Sequence, residues 1–236
     1  MATVLVTGAN RGLGLEFARQ YAADGWEVYA TAREPKKSEE LRKLAGEHSN
    51  VKVKELDIAK EESVQALAEE LDGKAIDVLI LNSGVYPRKG QKIGQIDYEG
   101  WREAFETNVL GTIRVAEAML DHIAASERKQ IAVISTGMAS LRGVQGGSVG
   151  QAGASYQYRS TKTALNMAML ILAKEVAPRE ISVVLFDPGW VKTDMGGPHA
   201  QLTPKESIAG MRKVLAGNAM ELSGKFLGHD GSPRPW

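Results

Sequence analysis

The chain has 236 residues, 43% hydrophobic and 25% charged, the balance of an ordinary globular protein with a core of normal size. Its 29 basic and 29 acidic residues cancel, so no global charge directs it to nucleic acid, anionic lipid or an acidic partner. Cysteine is absent, which excludes disulfides, thiolate catalysis and cysteine metal sites.

Strand-like and helix-like segments alternate along the whole length. A β-branched run at Thr3–Thr7 meets glycine at once and is too short for a secretory leader. A helical pattern follows from about Gly12 to Ala23. Trp26–Ala32 and Val51–Leu56 read as the second and third strands, and after Ile58 the residues Val64, Leu67, Ala68 and Leu71 fall at helical spacing. Asp77–Leu81 is a buried strand, then one helix is expected from about Tyr98 toward Ala125. Ile131–Ser135, Ile181–Phe186 and Lys225–Leu227 complete the strands, with helices at Ser160–Val176 and Lys205–Ala216. No stretch approaches the roughly 20 apolar residues of a membrane span. Strands joined by helical crossovers predict a single domain over residues 1–236. Its fold class is α/β, a Rossmann-type doubly wound parallel sheet of about seven strands with helices on both faces. Gly143–Gly153, rich in glycine, serine and glutamine, reads as a loop beside the site, and the tail Gly228–Trp236 is expected to fold back onto the body. With the cysteine-free composition, these features predict a cytoplasmic protein with no membrane or nucleic-acid partner.

The first chemical signal is Thr7-Gly8-Ala9-Asn10-Arg11-Gly12-Leu13-Gly14, set between the first strand and the first helix. Glycines let the backbone approach a diphosphate, and a helix amino terminus offers free N–H groups and positive partial charge. The spacing is Gly-x-x-x-Gly-x-Gly. At the end of the second strand, where NAD enzymes place an acid, the chain reads Tyr29-Ala30-Thr31-Ala32-Arg33. Arg33, joined by Arg11 from the turn, suits a 2′-phosphate by charge and hydrogen-bond geometry, so NADP(H) is favoured over NAD(H).

The second signal is Tyr158-Arg159-Ser160-Thr161-Lys162, which stacks a phenol and an ammonium on one helix face. A free phenol ionises near pH 10, and a nearby ammonium lowers that by about 1–3 units. Tyr156 is the rival phenol, but four residues beyond it stands Ser160, which carries no charge.

These two motifs, with Asp187-Pro188-Gly189-Trp190-Val191-Lys192-Thr193-Asp194-Met195 and the closing Gly228–Trp236 segment, resemble the classical short-chain dehydrogenases. More narrowly they resemble the carbonyl-reductase-like subgroup that includes sniffer and C-factor proteins. The resemblance implies a hydride exchanged between NADP(H) and a small carbonyl or alcohol substrate. Tyr158 would act as general acid or base, with Lys162 lowering its pKa and holding the nicotinamide ribose. It implies that Asn108 kinks a helix and links the lysine to water. The family serine falls at Thr136, with Ser135 just before it, and alternation along a strand end favours Thr136. Cofactor contacts are implied at Gly8, Asn10, Arg11, Gly12, Leu13, Gly14, Arg33, Asp57, Ile58, Asn82, Ser83, Gly84, Pro188, Gly189, Val191 and Thr193, as well as Tyr158 and Lys162. The family's Asn-Asn-Ala-Gly appears as Leu81-Asn82-Ser83-Gly84, losing one polar contact at Leu81. Val85–Gly94, Leu141–Ser155 and Met195–Leu202 are expected to line the substrate entrance.

Family analogy further suggests a homodimer or homotetramer, with Met167 and Met169 in the core or in the subunit contact. No metal is expected, since the four histidines show no ligand spacing. Two other readings stand beside the reductase. One is a catalytically weak nucleotide-sensing protein on the same fold. The other is a halohydrin dehalogenase, a class that resembles this family but replaces the lysine by arginine and has lost the glycine turn.

Overall fold

The computed structural model describes residues 1–87, 91, 93–147 and 155–236. Its strands are β1 (Thr3–Val6), β2 (Glu27–Ala32), β3 (Val51–Glu55), β4 (Val78–Leu81), β5 (Gln130–Ile134), β6 (Ser182–Asp187) and β7 (Phe226–Gly228). They form one seven-stranded sheet in the order β3-β2-β1-β4-β5-β6-β7, and every neighbouring pair is parallel.

The helices are α1 (Gly12–Ala23), α2 (Glu39–Glu47), α3 (Glu61–Glu70), α4 (Tyr98–Phe105), α5 (Thr112–Ala118), α6 (Leu120–Ala124), α7 (Leu141–Gln145), α8 (Tyr156–Glu175), α9 (Pro204–Leu215) and α10 (Ala219–Leu222). Side chains alternate across a strand, so the central strands feed two cores. Val4, Val6, Ile80, Ala132, Ile134, Val184 and Phe186 pack with Phe17, Leu41, Ile208 and Met211 of α1, α2 and α9. Leu5, Leu79, Leu81, Ile131, Val133, Val183 and Leu185 pack on the other face with Val64, Val115, Leu165 and Met169 of α3, α5 and α8. Helices thus cover both faces, as the sequence pattern requires.

Several boundaries differ from the sequence expectation. The helix expected from Tyr98 to Ala125 is broken into α4, a π-helical turn at Glu106–Gly111, α5 and α6. Inside the π turn the Asn108 carbonyl accepts from Thr112 Oγ1 at 3.1 Å. The helix expected from Ser160 starts earlier, at Tyr156, so Tyr158 and Lys162 both lie inside α8. The last strand runs one residue later, Phe226–Gly228. Helix α2, unforeseen, supplies the crossover that two parallel strands need; only Leu41 and Leu44 are buried in its charged sequence. The glycine-rich segment expected as a loop begins inside α7, whose first turn Ser140 caps by accepting from Gly143 N; residues 148–153 of it lie outside the described residues.

Strand order reverses between β1 and β4, which opens a crevice beyond their carboxyl ends. The tail folds back antiparallel alongside β7. Trp236 packs on Phe226 with ring centroids 5.4 Å apart, and its main-chain oxygen accepts from Arg142 N and Ser140 Oγ, each at 3.0 Å. No helix of the described residues is long and apolar enough to cross a membrane.

Candidate active site

The glycine turn leaves β1 toward the crevice. Gly8 adopts φ +64°, a left-handed conformation that favours glycine. Gly14 packs so tightly that a Cβ there would lie 2.2 Å from the Gly8 carbonyl oxygen. The turn is braced from β4. Asn82 Nδ2 donates to the Thr7 and Gly8 carbonyls at 2.9 and 3.1 Å, while Thr7 Oγ1 accepts from the N–H groups of Asn82 and Ser83. The Asn82 side chain is therefore committed to the turn itself, which leaves the Ser83–Gly84 backbone at the crevice edge.

Helix α1 starts without a side-chain cap at Arg11, and no acidic residue occupies its first turn. Its first N–H groups are free of intrahelical partners and the positive end of its dipole faces the crevice. A close backbone approach plus an uncapped, acid-free helix terminus fits a diphosphate. Leu13 is only half-buried behind this turn, and Asn10 is exposed at its tip.

Arg11 Nη1 forms an ion pair with Asp194 Oδ2 at 2.7 Å, both side chains largely exposed. The anion that Arg11 meets is thus one of the protein's own carboxylates. Arg33 is exposed just beyond β2 and makes no ion pair among the described residues. Asp57 and Ile58, just beyond β3, are held by their neighbours. Asp57 Oδ1 accepts from Ala59 N, its own N–H donates to Ser63 Oγ, and the Ile58 carbonyl accepts from Arg114 Nη1 at 2.8 Å.

On the opposite wall, Pro188 and Gly189 turn the chain away from β6. The Pro188 carbonyl accepts from Ser207 Oγ at 2.8 Å. Val191 is buried beyond the turn, and Thr193 lies over the glycine turn, with its Cγ2 3.5 Å from where a Cβ on Gly12 would sit. The segment 193–194 therefore bridges the crevice to the first turn of α1.

Between these walls lie the candidate reacting groups. Tyr158 and Lys162 are both buried on α8. Burial pushes the Tyr158 phenol well above its ordinary value; the Tyr86 phenol and the Asp187 carboxylate push the same way, and a hydrogen bond with the Thr136 hydroxyl opposes them. The Lys162 ammonium is drawn down by burial to about 8, and it donates to the Ile134 carbonyl at 2.9 Å. Lys162 thus points its charge at the end of β5, and burial is the largest influence on the phenol. Gly84 approaches so closely that a Cβ there would lie 3.3 Å from Lys162 Nζ and 3.2 Å from Asn108 Oδ1.

Thr136 and Ser135 point to different places. Ser135 Oγ donates to Asn166 Oδ1 at 2.5 Å within the core, whereas the Thr136 hydroxyl meets Tyr158 and also accepts from Met138 N. Asn108 is fully buried in the π turn. Its amide exchanges two hydrogen bonds with the Val85 backbone, at 2.7 and 2.9 Å, and donates to Thr161 Oγ1 at 3.1 Å. It thereby ties the segment after β4 to α8 and holds Gly84 beside Lys162. Tyr156, the rival phenol, is turned toward Trp101 at 6.3 Å.

One contact escaped the sequence reading. Tyr86 stacks on Tyr158 with centroids 4.2 Å apart and an interplanar angle of 13°, and its hydroxyl lies 2.5 Å from Ser155 Oγ. Ser155 takes φ +42° at the amino end of α8, a left-handed conformation uncommon for serine. Nothing in the local sequence signals this stack. Of the expected entrance segments, 88–90, 92 and 148–154 lie outside the described residues.

The family model for short chain dehydrogenases matches residues 2–202. C-signal of Myxococcus xanthus is 36% identical over 173 residues, which are 73% of this chain and all of that protein. The carbonyl reductase Sniffer of D. melanogaster superposes with a TM-score of 0.90 at 29% identity, covering all of both chains. The NADPH-bound carbonyl reductase from chicken fatty liver gives the same score at 33% identity, over 100% of this chain and 99% of the other.

Proposed function

The chain belongs to the short-chain dehydrogenase family, and on that premise we propose that it reduces a ketone or aldehyde with NADPH, Tyr158 delivering the proton. The observation that carries this reading is the convergence of the Tyr158 phenol, the Thr136 hydroxyl and the buried Lys162 beside a glycine turn that fits a diphosphate. When bound, the dinucleotide supplies or accepts the hydride.

The chain's own groups supply the rest. The glycine turn and the uncapped start of α1 hold the diphosphate, and Arg33 reads the 2′-phosphate. Arg11 joins it by exchanging Asp194 for the phosphate, since an exposed ion pair contributes only about 0–1 kcal/mol. Thr136 donates to the substrate oxygen and orients it toward Tyr158. Burial keeps the phenol protonated across the neutral range, the form that reduction consumes. As the proton leaves, the phenolate is stabilised by Thr136 and by the Lys162 charge one helical turn away. Lys162, already stripped of water, offers its remaining donors to the ribose hydroxyls. Asn108 keeps Gly84 and Lys162 in register. Exposed Met167 and Ile171, four apart on α8, are assigned to a subunit contact in a homodimer or homotetramer, while Met169 belongs to the core. Light scattering after size exclusion tests that assignment.

A panel of ketones and aldehydes followed by NADPH absorbance tests the activity. Tyr158→Phe is expected to lose about 10²–10⁴ in turnover while NADPH binding, followed by its fluorescence, stays within about twofold on the same argument. Undiminished turnover in that variant removes Tyr158 from its assigned role. Arg33→Ser should weaken NADPH binding by roughly tenfold and leave NADH unaffected; equal losses for both cofactors would refute the preference for NADP(H).

A further inference from the structure

Asp187 places a carboxylate in the site that the proposed chemistry does not use. It ends β6 and is mostly buried. A Cβ on Gly137, the residue after Thr136, would lie 3.1 Å from its Oδ2, and its Oδ1 accepts from Gly189 N at 3.2 Å. It therefore stands between the Thr136 hydroxyl that meets Tyr158 and the turn that leads to Thr193.

From the other side, the folded-back tail delivers a cation to it. Arg234 Nε lies 3.1 Å from Asp187 Oδ2, within ion-pair range, although its N–H is not aligned for a hydrogen bond. The position of Arg234 is fixed independently of this pair. Its backbone N–H donates to the Phe226 carbonyl at 2.9 Å, Pro233 bridges to Leu227, and Trp236 packs on Phe226.

We propose that Arg234 is a positioning residue for the reaction: its guanidinium, carried in by the tail, offsets the Asp187 carboxylate and keeps that negative charge from bearing on Tyr158. The inference rests on the reading of Tyr158 as the acid. The titratable groups around the phenol are Tyr86 from the segment after β4, Asp187 from β6 and Lys162 one turn along its own helix; the neutral Thr136 hydroxyl comes from the end of β5. Asp187 is the one carboxylate among these described residues. Its compensation by Arg234 therefore sets how much negative charge the buried ring feels.

The sign follows directly. Without the guanidinium, the uncompensated Asp187 charge opposes ionisation of the phenol more strongly; without the carboxylate, that opposition disappears and the guanidinium favours the phenolate. The test titrates NADP⁺-loaded protein by tyrosinate absorbance, taking the difference against Tyr158→Phe in the same background. Arg234→Gln should move the Tyr158 midpoint upward by about one pH unit, and Arg234→Lys should restore it. Asp187→Asn should move the midpoint downward, and adding Arg234→Gln to that variant should bring it back toward that of the parent protein. An unmoved midpoint in Arg234→Gln, or a double variant displaced as far upward as Arg234→Gln alone, overturns the proposal. If Arg234→Gln does not fold, Asp187→Asn decides alone, and a midpoint that stays or rises is the overturning result. The two readings fail separately. A shifted midpoint with full turnover in Tyr158→Phe sinks the catalytic assignment, while an inactive Tyr158→Phe with an unmoved midpoint sinks this one.

Discussion

Replacing Lys162 with methionine should make the protein more stable at neutral pH and abolish its chemistry at the same time. The ammonium is buried on α8, and burial draws its pKa from 10.5 to about 8. One pH unit corresponds to about 1.4 kcal/mol, so keeping this charge in the native protein costs roughly 3 kcal/mol wherever both folded and unfolded chains hold the proton. That condition is met below pH 8. Between about 8 and 10.5 the unfolded chain binds the extra proton, so stability rises with pH and the cost fades. Methionine fills a similar volume without charge, but it forfeits the hydrogen bond to the Ile134 carbonyl, which contributes roughly 1 kcal/mol. The net expectation is a variant about 2 kcal/mol more stable at pH 7, with the advantage gone by about pH 10. Denaturant titrations of both proteins at the two pH values measure it, and their difference cancels every other titrating group. A variant less stable at pH 7, or a gap unchanged between the two pH values, would show that burial does not control this lysine.

The glycine turn offers a second comparison. Gly14→Ala must push back the Gly8 carbonyl, 2.2 Å from the new Cβ, and the Asn82 amide at 2.6 Å, so a loss of about 1–3 kcal/mol in denaturant stability is expected, with NADPH affinity falling more than about tenfold. Gly46→Ala, inside α2 with open space around it, should instead gain about 0.5–1 kcal/mol; a destabilised Gly46→Ala would fault the geometric reasoning in both. The two hydroxyls at the end of β5 separate as cleanly. Thr136→Val should cost about 10-fold to 100-fold in turnover at unchanged NADPH affinity, whereas Ser135→Ala should cost about 1–3 kcal/mol of stability by stranding Asn166 and spare turnover. The reverse pattern in steady-state rates would reassign the roles.

The sheet was readable because its central strands are short runs of apolar residues, buried on both faces, which only a covered parallel sheet explains. Helix α2 was not, since Leu41 and Leu44 are too few to establish a period among seven polar or small neighbours. The π turn at Asn108 was signalled only by the resemblance, which places a kink there; Glu106-Thr107-Asn108-Val109 by itself is compatible with an ordinary helix, and the extra residue per turn leaves no mark in composition. At the site, the glycine turn and the Tyr158–Lys162 pair were visible because each is local, set by spacing within one turn or one helix face. What stayed hidden joins residues far apart in sequence: Arg11 to Asp194, Tyr86 to Tyr158, Arg234 to Asp187. The burial of Tyr158 was hidden for a related reason. Spacing reports the neighbour four residues away, whereas the degree of burial depends on the whole fold.

The position of β1 between β2 and β4 has a consequence for how the crevice comes into being. As the polypeptide leaves the ribosome, Thr3–Val6 finds its first neighbour once Glu27–Ala32 has emerged, but its other edge pairs with Val78–Leu81. Until then half of its backbone hydrogen-bonding groups face water, and Thr7 and Gly8 lack the Asn82 amide that braces them. The glycine cradle thus waits for β4 to emerge: any nascent fragment shorter than about the first third of the protein carries the glycines without it.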